Sequence, residues 1–218
     1  VTMRRMETSA SFSIGKLFMF DGPDGVGKTT QLNMAADALK KKGYEVYLTK
    51  THGGTPIGEA LRTVSLSEVE RTPLTDMYIS LAMHSALAEV IEEKRDRGVI
   101  VLVDRSPLSI VAYQAYGSGL DKDFTMGIID IDMQLFKPDC IVVYDAPIAI
   151  TRQRMIERNQ KNHTKQEYFE SKSPEYFERV ASGYRVAAAH LNAEVIEATA
   201  TVEQVHKATM KHLKTLLA

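Results

Sequence analysis

Apolar residues along this chain fall into short unbroken runs, separated by longer segments in which they recur every three or four positions. Residues 16–21 (KLFMFD), 45–50 (EVYLTK), 99–104 (VIVLVD) and 140–145 (CIVVYD) are runs of the first kind, and 195–196 is a shorter fifth. The run 99–104, nearly all branched and apolar, suits a strand covered on both faces. Between the runs, the spacing predicts helices over 29–42, 57–65, 75–97, 124–136, 147–159, most of 167–191, and 202–217. Local chemistry sets several boundaries. Gly43 can end the first helix, Thr75 or Asp76 can cap the long one, and Pro107 opens a short one. Pro138 breaks the helix before it, and Pro147 suits a first helical turn. Strands alternating with helices in this order predict an α/β protein with about five parallel strands wrapped by helices.

The chain's 218 residues fit one domain, expected over 16–218, and no repeat, low-complexity tract or linker divides it. Residues 1–15 lack a hydrophobic signal core and read as a disordered extension, within which Met3 and Met6 are both candidate starts. Residues 160–166 are polar and read as a surface segment. With 27 basic and 28 acidic residues the net charge is −1, which excludes attraction to nucleic acid or a membrane through a global field. Any polyanion site must be local. No apolar stretch approaches the roughly 18 residues of a membrane helix. The single cysteine, Cys140, excludes an internal disulfide framework and suits a reducing cytoplasm.

The most specific local signal is Gly22-Pro23-Asp24-Gly25-Val26-Gly27-Lys28-Thr29, which matches the phosphate-binding pattern G-x-x-x-x-G-K-[ST] in full. A strand feeds it and a helix follows, as the mechanism requires. Glycines let backbone N–H groups close on phosphate oxygens, and the helix N-terminus adds a positive dipole end. Gly22, Asp24, Gly25, Val26, Gly27, Lys28, Thr29 and Thr30 are therefore the candidate nucleotide cradle. Lys28 would neutralise the β- and γ-phosphates, and Thr29 would give a hydroxyl to Mg²⁺. This loop does not by itself separate a kinase from a switch or a motor.

Three further stretches resemble the thymidylate kinase family. Residues 53–62 (GGTPIGEALR) are similar to the family's G-G-T-x-I-G-E-x-I-R. Residues 104–120, opening Asp104-Arg105-Ser106 and containing Ala112-Tyr113-Gln114, are similar to its D-R-Y, A-Y-Q and G-x-G-L. Residues 176–184 (YFERVASGY) are similar to its F-E-R-V-x-x-G-Y. The resemblance implies a three-layer fold with strand order 2-3-1-4-5, ATP and Mg²⁺ as cofactors, a nucleotide partner, a homodimer, and phosphorylation of dTMP to dTDP. It further implies that Asp104 acts on Mg²⁺ with Thr29, and that Arg105 and Arg62 hold the acceptor phosphate. Asp24 would meet the acceptor sugar or the metal, Tyr113 would border the sugar, and a lid near 160–168 would bring Arg154 and Arg158 over the transferring group.

Several acceptor positions depart from the family pattern. Lys50 stands for an arginine, Thr51-His52 for Glu-Pro, Ile110 for a polar residue, and Tyr168 for a lid arginine. Ile79 and Met83 fall where the family has a base-stacking phenylalanine and an arginine. Isoleucine offers no aromatic face, and methionine cannot pair with a carbonyl. The expectation is an intact phosphate-handling half beside an altered base pocket. A kinase for another pyrimidine nucleotide therefore stays open. So does a nucleoside kinase, although Thr51 stands where its carboxylate base is wanted. A nucleotide-binding regulator without turnover is the alternative of a different class.

Overall fold

The computed structural model describes residues 14–162 and 172–217. Strands β1 (Leu17–Asp21), β2 (Val46–Lys50), β3 (Ile100–Asp104), β4 (Cys140–Asp145) and β5 (Glu194–Glu197) form one parallel sheet in the order β2-β3-β1-β4-β5. Alternation along the central strands divides their side chains between two cores. Leu17, Met19, Val101, Val103, Ile141 and Val143 face one side, and Phe18, Phe20, Ile100, Leu102, Val142 and Tyr144 face the other. Burial of each such side chain contributes about 1.5–3 kcal/mol, so the middle of the sheet is where the fold is anchored.

Helices α1 (Lys28–Lys40) and α8 (Val202–Leu217) pack together over the second face. The first face is covered by α3 (Pro73–Asp96), α5 (Lys122–Phe136) and α7 (Pro174–His190), with α2 (Pro56–Ser65) lying against α3. Helix α6 (Ile148–Asn162) follows β4. The α/β architecture and the strand order both agree with the sequence reading. Register places Lys50 beside Asp104, and Asp104 beside Phe20, so the carboxyl ends of β2, β3 and β1 lie in one row. Open α/β sheets bind ligands along that edge.

Element ends differ where side-chain chemistry outweighs the apolar pattern. Helix α3 begins at Pro73 because Thr72 is its cap, its hydroxyl accepting from the Thr75 N–H at 3.2 Å. Helix α5 begins at Lys122 under the Asp121 cap. Helix α6 runs through residue 162, taking up 160–162 of the expected lid; residues 163–168 lie outside the described residues, as do 1–13 of the expected extension. Gly15 is buried and its N–H donates to the Arg95 carbonyl at 2.7 Å, so Gly15 belongs to the packed structure. The short helix α4 (Leu108–Ile110) continues as a π-helical stretch over Val111–Gly117, which no apolar period announces.

That stretch packs on α7 at Gly183, where a Cβ would lie 2.8 Å from Ala112 Cα and 2.9 Å from Tyr116 Cβ. Gly183→Ala must push the two elements apart, at about 1–3 kcal/mol. Calorimetry should show a melting temperature lower by several degrees, roughly 2–4 °C per kcal/mol in a protein of this size.

Candidate active site

The cradle grows from the tip of β1. Gly22 and Gly25 have φ of +133° and +79°, and a Cβ at either would meet a backbone carbonyl at 2.2 Å: Tyr144 O for Gly22, Thr151 O for Gly25. Both positions therefore require glycine. Gly27, at φ +106°, is the N-cap of α1, has open space where a Cβ would stand, and lines the cleft described below. Lys28 is buried, and its Nζ donates to the Gly22 and Pro23 carbonyls at 2.8 and 3.0 Å. Burial, together with the Arg105 cation, lowers the Lys28 pKa.

Below the cradle lies Asp21, wholly buried. Its carboxylate accepts from the Gly22 N–H (2.9 Å), the Ser106 N–H (2.8 Å) and the Ser106 and Ser109 hydroxyls (2.7 and 3.0 Å). The start of the phosphate loop and the turn after β3 are thus tied to one group. Between Asp104 and Ser106, Arg105 adopts φ +72°, a left-handed conformation rare for any residue but glycine. Its guanidinium pairs with Asp24 and donates to Tyr184 Oη at 3.0 Å. Tyr113 Oη donates to Asp24 at 2.7 Å.

Burial would raise the Asp24 carboxyl, but the Arg105 and Lys28 cations and the Tyr113 hydroxyl outweigh it and hold the group well below the usual carboxylate range. The Asp24 carboxylate therefore stabilises the fold above the unfolded pKa of about 3.9. That contribution is lost as pH falls through the depressed folded value. Burial raises the Tyr113 and Tyr184 phenols well above their ordinary values, so both are hydrogen-bonding hydroxyls at neutral pH.

These groups open into a cleft of about 700 Å³ that crosses the carboxyl edge of the sheet. On the β2 side it is lined by Lys50, Arg62, Arg105 and Tyr113; on the far side by Arg154, Arg158 and the segment from Ala198 to Val202. Asp24, Gly25, Val26, Gly27, Lys28, Thr29, Thr30 and Asp104 lie between. Arg154 and Arg158 both reach it from α6, and Arg154 bridges the two sides of the far end, donating to Val26 O (3.3 Å) and Ala198 O (3.0 Å). Lys50 pairs with Glu59 at 2.8 Å, and Arg62 donates to the His52 carbonyl at 3.2 Å.

Three expected residues are not in the lining. Gly22 is buried beneath the loop and supports it. Ile79 is half-buried on another side of α3, and Met83 is fully buried. Helix α3 instead presents Ser80, and the loop after β2 presents His52. Spacing along a helix does not say which of two neighbouring positions points into a cleft. Sequence reasoning also passed over Asp21, Ser109 and Tyr184 as site residues. The signal for the first two was present: a polar residue closing an apolar strand, and a Ser-x-x-Ser pair at one helical turn beside Asp104.

The donors fit Mg²⁺ and a nucleotide triphosphate. Thr29 Oγ1 donates to Asp104 Oδ2 at 2.7 Å, placing two hard oxygens together at the cradle's lip. Among the described residues no cluster of three or more His, Cys, Asp or Glu side chains forms a cage.

Fold and cleft together define a P-loop kinase fold. The family model described as thymidylate kinase matches residues 20–209, and the chain belongs to the thymidylate kinase family. It is 32% identical over 206 residues to the thymidylate kinase of Nitratidesulfovibrio vulgaris, covering 91% of this chain and 96% of that one. To the thymidylate kinase of Geobacter sulfurreducens it is 32% identical over 175 residues, 78% of this chain and 82% of the relative. The crystal structure of thymidylate kinase from Ehrlichia chaffeensis superposes with a TM-score of 0.70 at 25% identity, over 92% of this chain and 98% of that one.

Asp21→Asn puts an amide where two backbone N–H groups and two hydroxyls need acceptors, leaving buried donors facing each other. The loss should be about 3 kcal/mol. Urea unfolding should show it as a lower midpoint with an unchanged slope.

Proposed function

We propose that this protein transfers the γ-phosphoryl group of ATP to dTMP, giving dTDP and ADP. The observation that carries this reading is the cleft with cations at both ends of a phosphate loop. Arg105, Arg62 and Lys50 stand on the β2 side, and Lys28, Arg154 and Arg158 stand by the loop and beyond it. Two polyanions must be brought together, and this arrangement offsets the charge of both. When bound, ATP supplies the phosphoryl group, and Mg²⁺ held near Thr29 and Asp104 neutralises its oxygens.

The residues' part is positioning and electrostatics. A monophosphate is already ionised near neutral pH, its second pKa being about 6, so no strong general base is required. Arg105 fixes the acceptor phosphate, preferably through both guanidinium nitrogens, with Arg62 and Lys50 beside it. Asp24 and Tyr113 meet the acceptor sugar. Backbone N–H groups of Gly25, Val26, Gly27 and Lys28, with the Thr29 and Thr30 turn, hold the donor's phosphates, and Lys28 swings from its carbonyl partners to them. Arg154 and Arg158 stabilise charge on the group in flight.

A cytoplasmic setting agrees with the Cys140 thiol, which burial and the nearby Glu194 and Asp139 carboxylates push up to about 11, making it unreactive. No helix among the described residues is long and apolar enough to cross a membrane. A homodimer agrees with the exposed apolar side chains Leu74 and Tyr78 on α3 and Ile131 and Leu135 on the adjacent α5.

The test is coupled ADP release with ATP, Mg²⁺ and a panel of nucleosides and nucleoside monophosphates. Turnover is expected with dTMP and not with thymidine; the reverse result would assign the chain to the nucleoside kinases, and none with either would leave a binding protein. Lys28→Ala should lower kcat at least ~10²-fold. Arg105→Lys, which keeps charge but loses the planar fork, should raise the acceptor KM about tenfold with the ATP KM unchanged.

A further inference from the structure

The wall of the cleft between β2 and α3 is held by two residues with no role in the proposed transfer. His52 and Ser80 both line it. The His52 imidazole is held at both nitrogens: Nε2 lies 3.3 Å from Ser80 Oγ, and Nδ1 lies 3.4 Å from Thr51 Oγ1. Ser80 gives its own proton to the Asp76 carbonyl at 3.0 Å, so toward His52 it accepts. That assigns the ring proton to Nε2 and leaves Nδ1 to accept from Thr51.

Behind the ring stands His84, at 84° to it with centroids 6.1 Å apart. His84 is itself fixed by Asp132 Oδ2 at 2.5 Å from its Nδ1 and packs edge-on with Phe136. The ring plane is therefore set from several directions. Burial, and the nearby Arg105, His84 and Arg62 groups, lower the basicity of His52 well below the ordinary range, so the ring is neutral at pH 7. With both nitrogens engaged, the ring offers a ligand its carbon surface, face included, rather than a polar atom.

Arg62 ties this ring to the phosphate-binding side, because its Nη1 donates to the His52 carbonyl. Among the described residues that line the cleft, the only ring systems are His52 and Tyr113, and the Tyr113 hydroxyl is committed to Asp24. Ile79 and Met83 are absent from the lining. We propose that His52 is the base-contacting residue of the acceptor site: its imidazole face stacks on the planar base of a pyrimidine nucleoside monophosphate, with Ser80 as the positioning residue. This rests on the acceptor reading given above.

Stacking reads a base's face, which every pyrimidine has, rather than its edge. His52→Ala should therefore raise the KM for dTMP, dUMP and dCMP alike, about tenfold each, with kcat changed far less and the ATP KM unmoved. Inhibition by 2-deoxyribose 5-phosphate, which has the phosphate and sugar but no base, should keep its wild-type strength. His52→Phe restores a flat ring and should recover most of the dTMP affinity. His52→Gln keeps reach to Ser80 without a ring and should not.

If inhibition by the base-free phosphate weakens in parallel with dTMP, His52 merely supports the loop and the proposal is overturned. The same holds if glutamine rescues as well as phenylalanine, or if alanine changes nothing. Failure of the wild-type protein to phosphorylate any monophosphate would instead overturn the acceptor reading, and this proposal with it.

Discussion

A carboxylate with no exposure to water, Asp21, holds the two halves of the site in register. One oxygen meets the Gly22 N–H where the phosphate loop departs, and the other meets the backbone and hydroxyl of Ser106 where β3 gives way to helix. A buried charge is tolerated only when its lone pairs are filled, and here backbone and side-chain donors fill them. Because β1 and β3 are neighbours in the sheet, that single group fixes the separation between a cradle for one polyanion and a guanidinium for another. The chemistry proposed for the cleft depends on that separation, since phosphoryl transfer needs its two oxygens in line.

Around this fixed point the electrostatics are arranged by pairing. Asp24 neutralises part of the positive charge of Arg105 and Lys28, so three ionised groups share a small volume without a large net field. Ser109 and Tyr184 accept from Arg105 and bond each other, and Tyr113 donates to Asp24. The aromatic helix α7, whose buried residues pack on the π-helical stretch, thereby reaches the site through one hydroxyl. Packing and positioning are carried by the same side chains.

Much of the fold was legible because its signals are local. Four unbroken apolar runs became β1 to β4, and β4 and α8 kept their expected bounds. The phosphate loop was legible because close backbone approach and polyanion binding demand particular residue types at fixed spacing, and the Asp104-Arg105 pair stood out through its resemblance to a family block. What escaped was decided by neighbours distant in sequence. Thr72 rather than Thr75 caps α3, and the chain after Pro107 takes a π-helical form that packs closely on α7 at Gly183. The lining of the cleft along α3 escaped for the same kind of reason. Ile79 and Met83 occupy plausible positions on α3, but how α3 sits against α2 and β3 decides that Ser80 lines the cleft, within reach of His52 in the loop after β2.

The left-handed backbone at Arg105 sets two kinds of selection against each other. Holding a side chain other than glycine there costs on the order of 1–3 kcal/mol, a sizeable fraction of a domain's net stability of about 5–15 kcal/mol. Variants scored only by resistance to heat would drift at this position toward glycine or asparagine, which relieve the strain and discard the guanidinium. Selection for turnover would keep arginine and accumulate compensating changes elsewhere, in the core beneath β3. The rest of the molecule thus has to be more stable than its own function requires, because it carries the deficit of one residue.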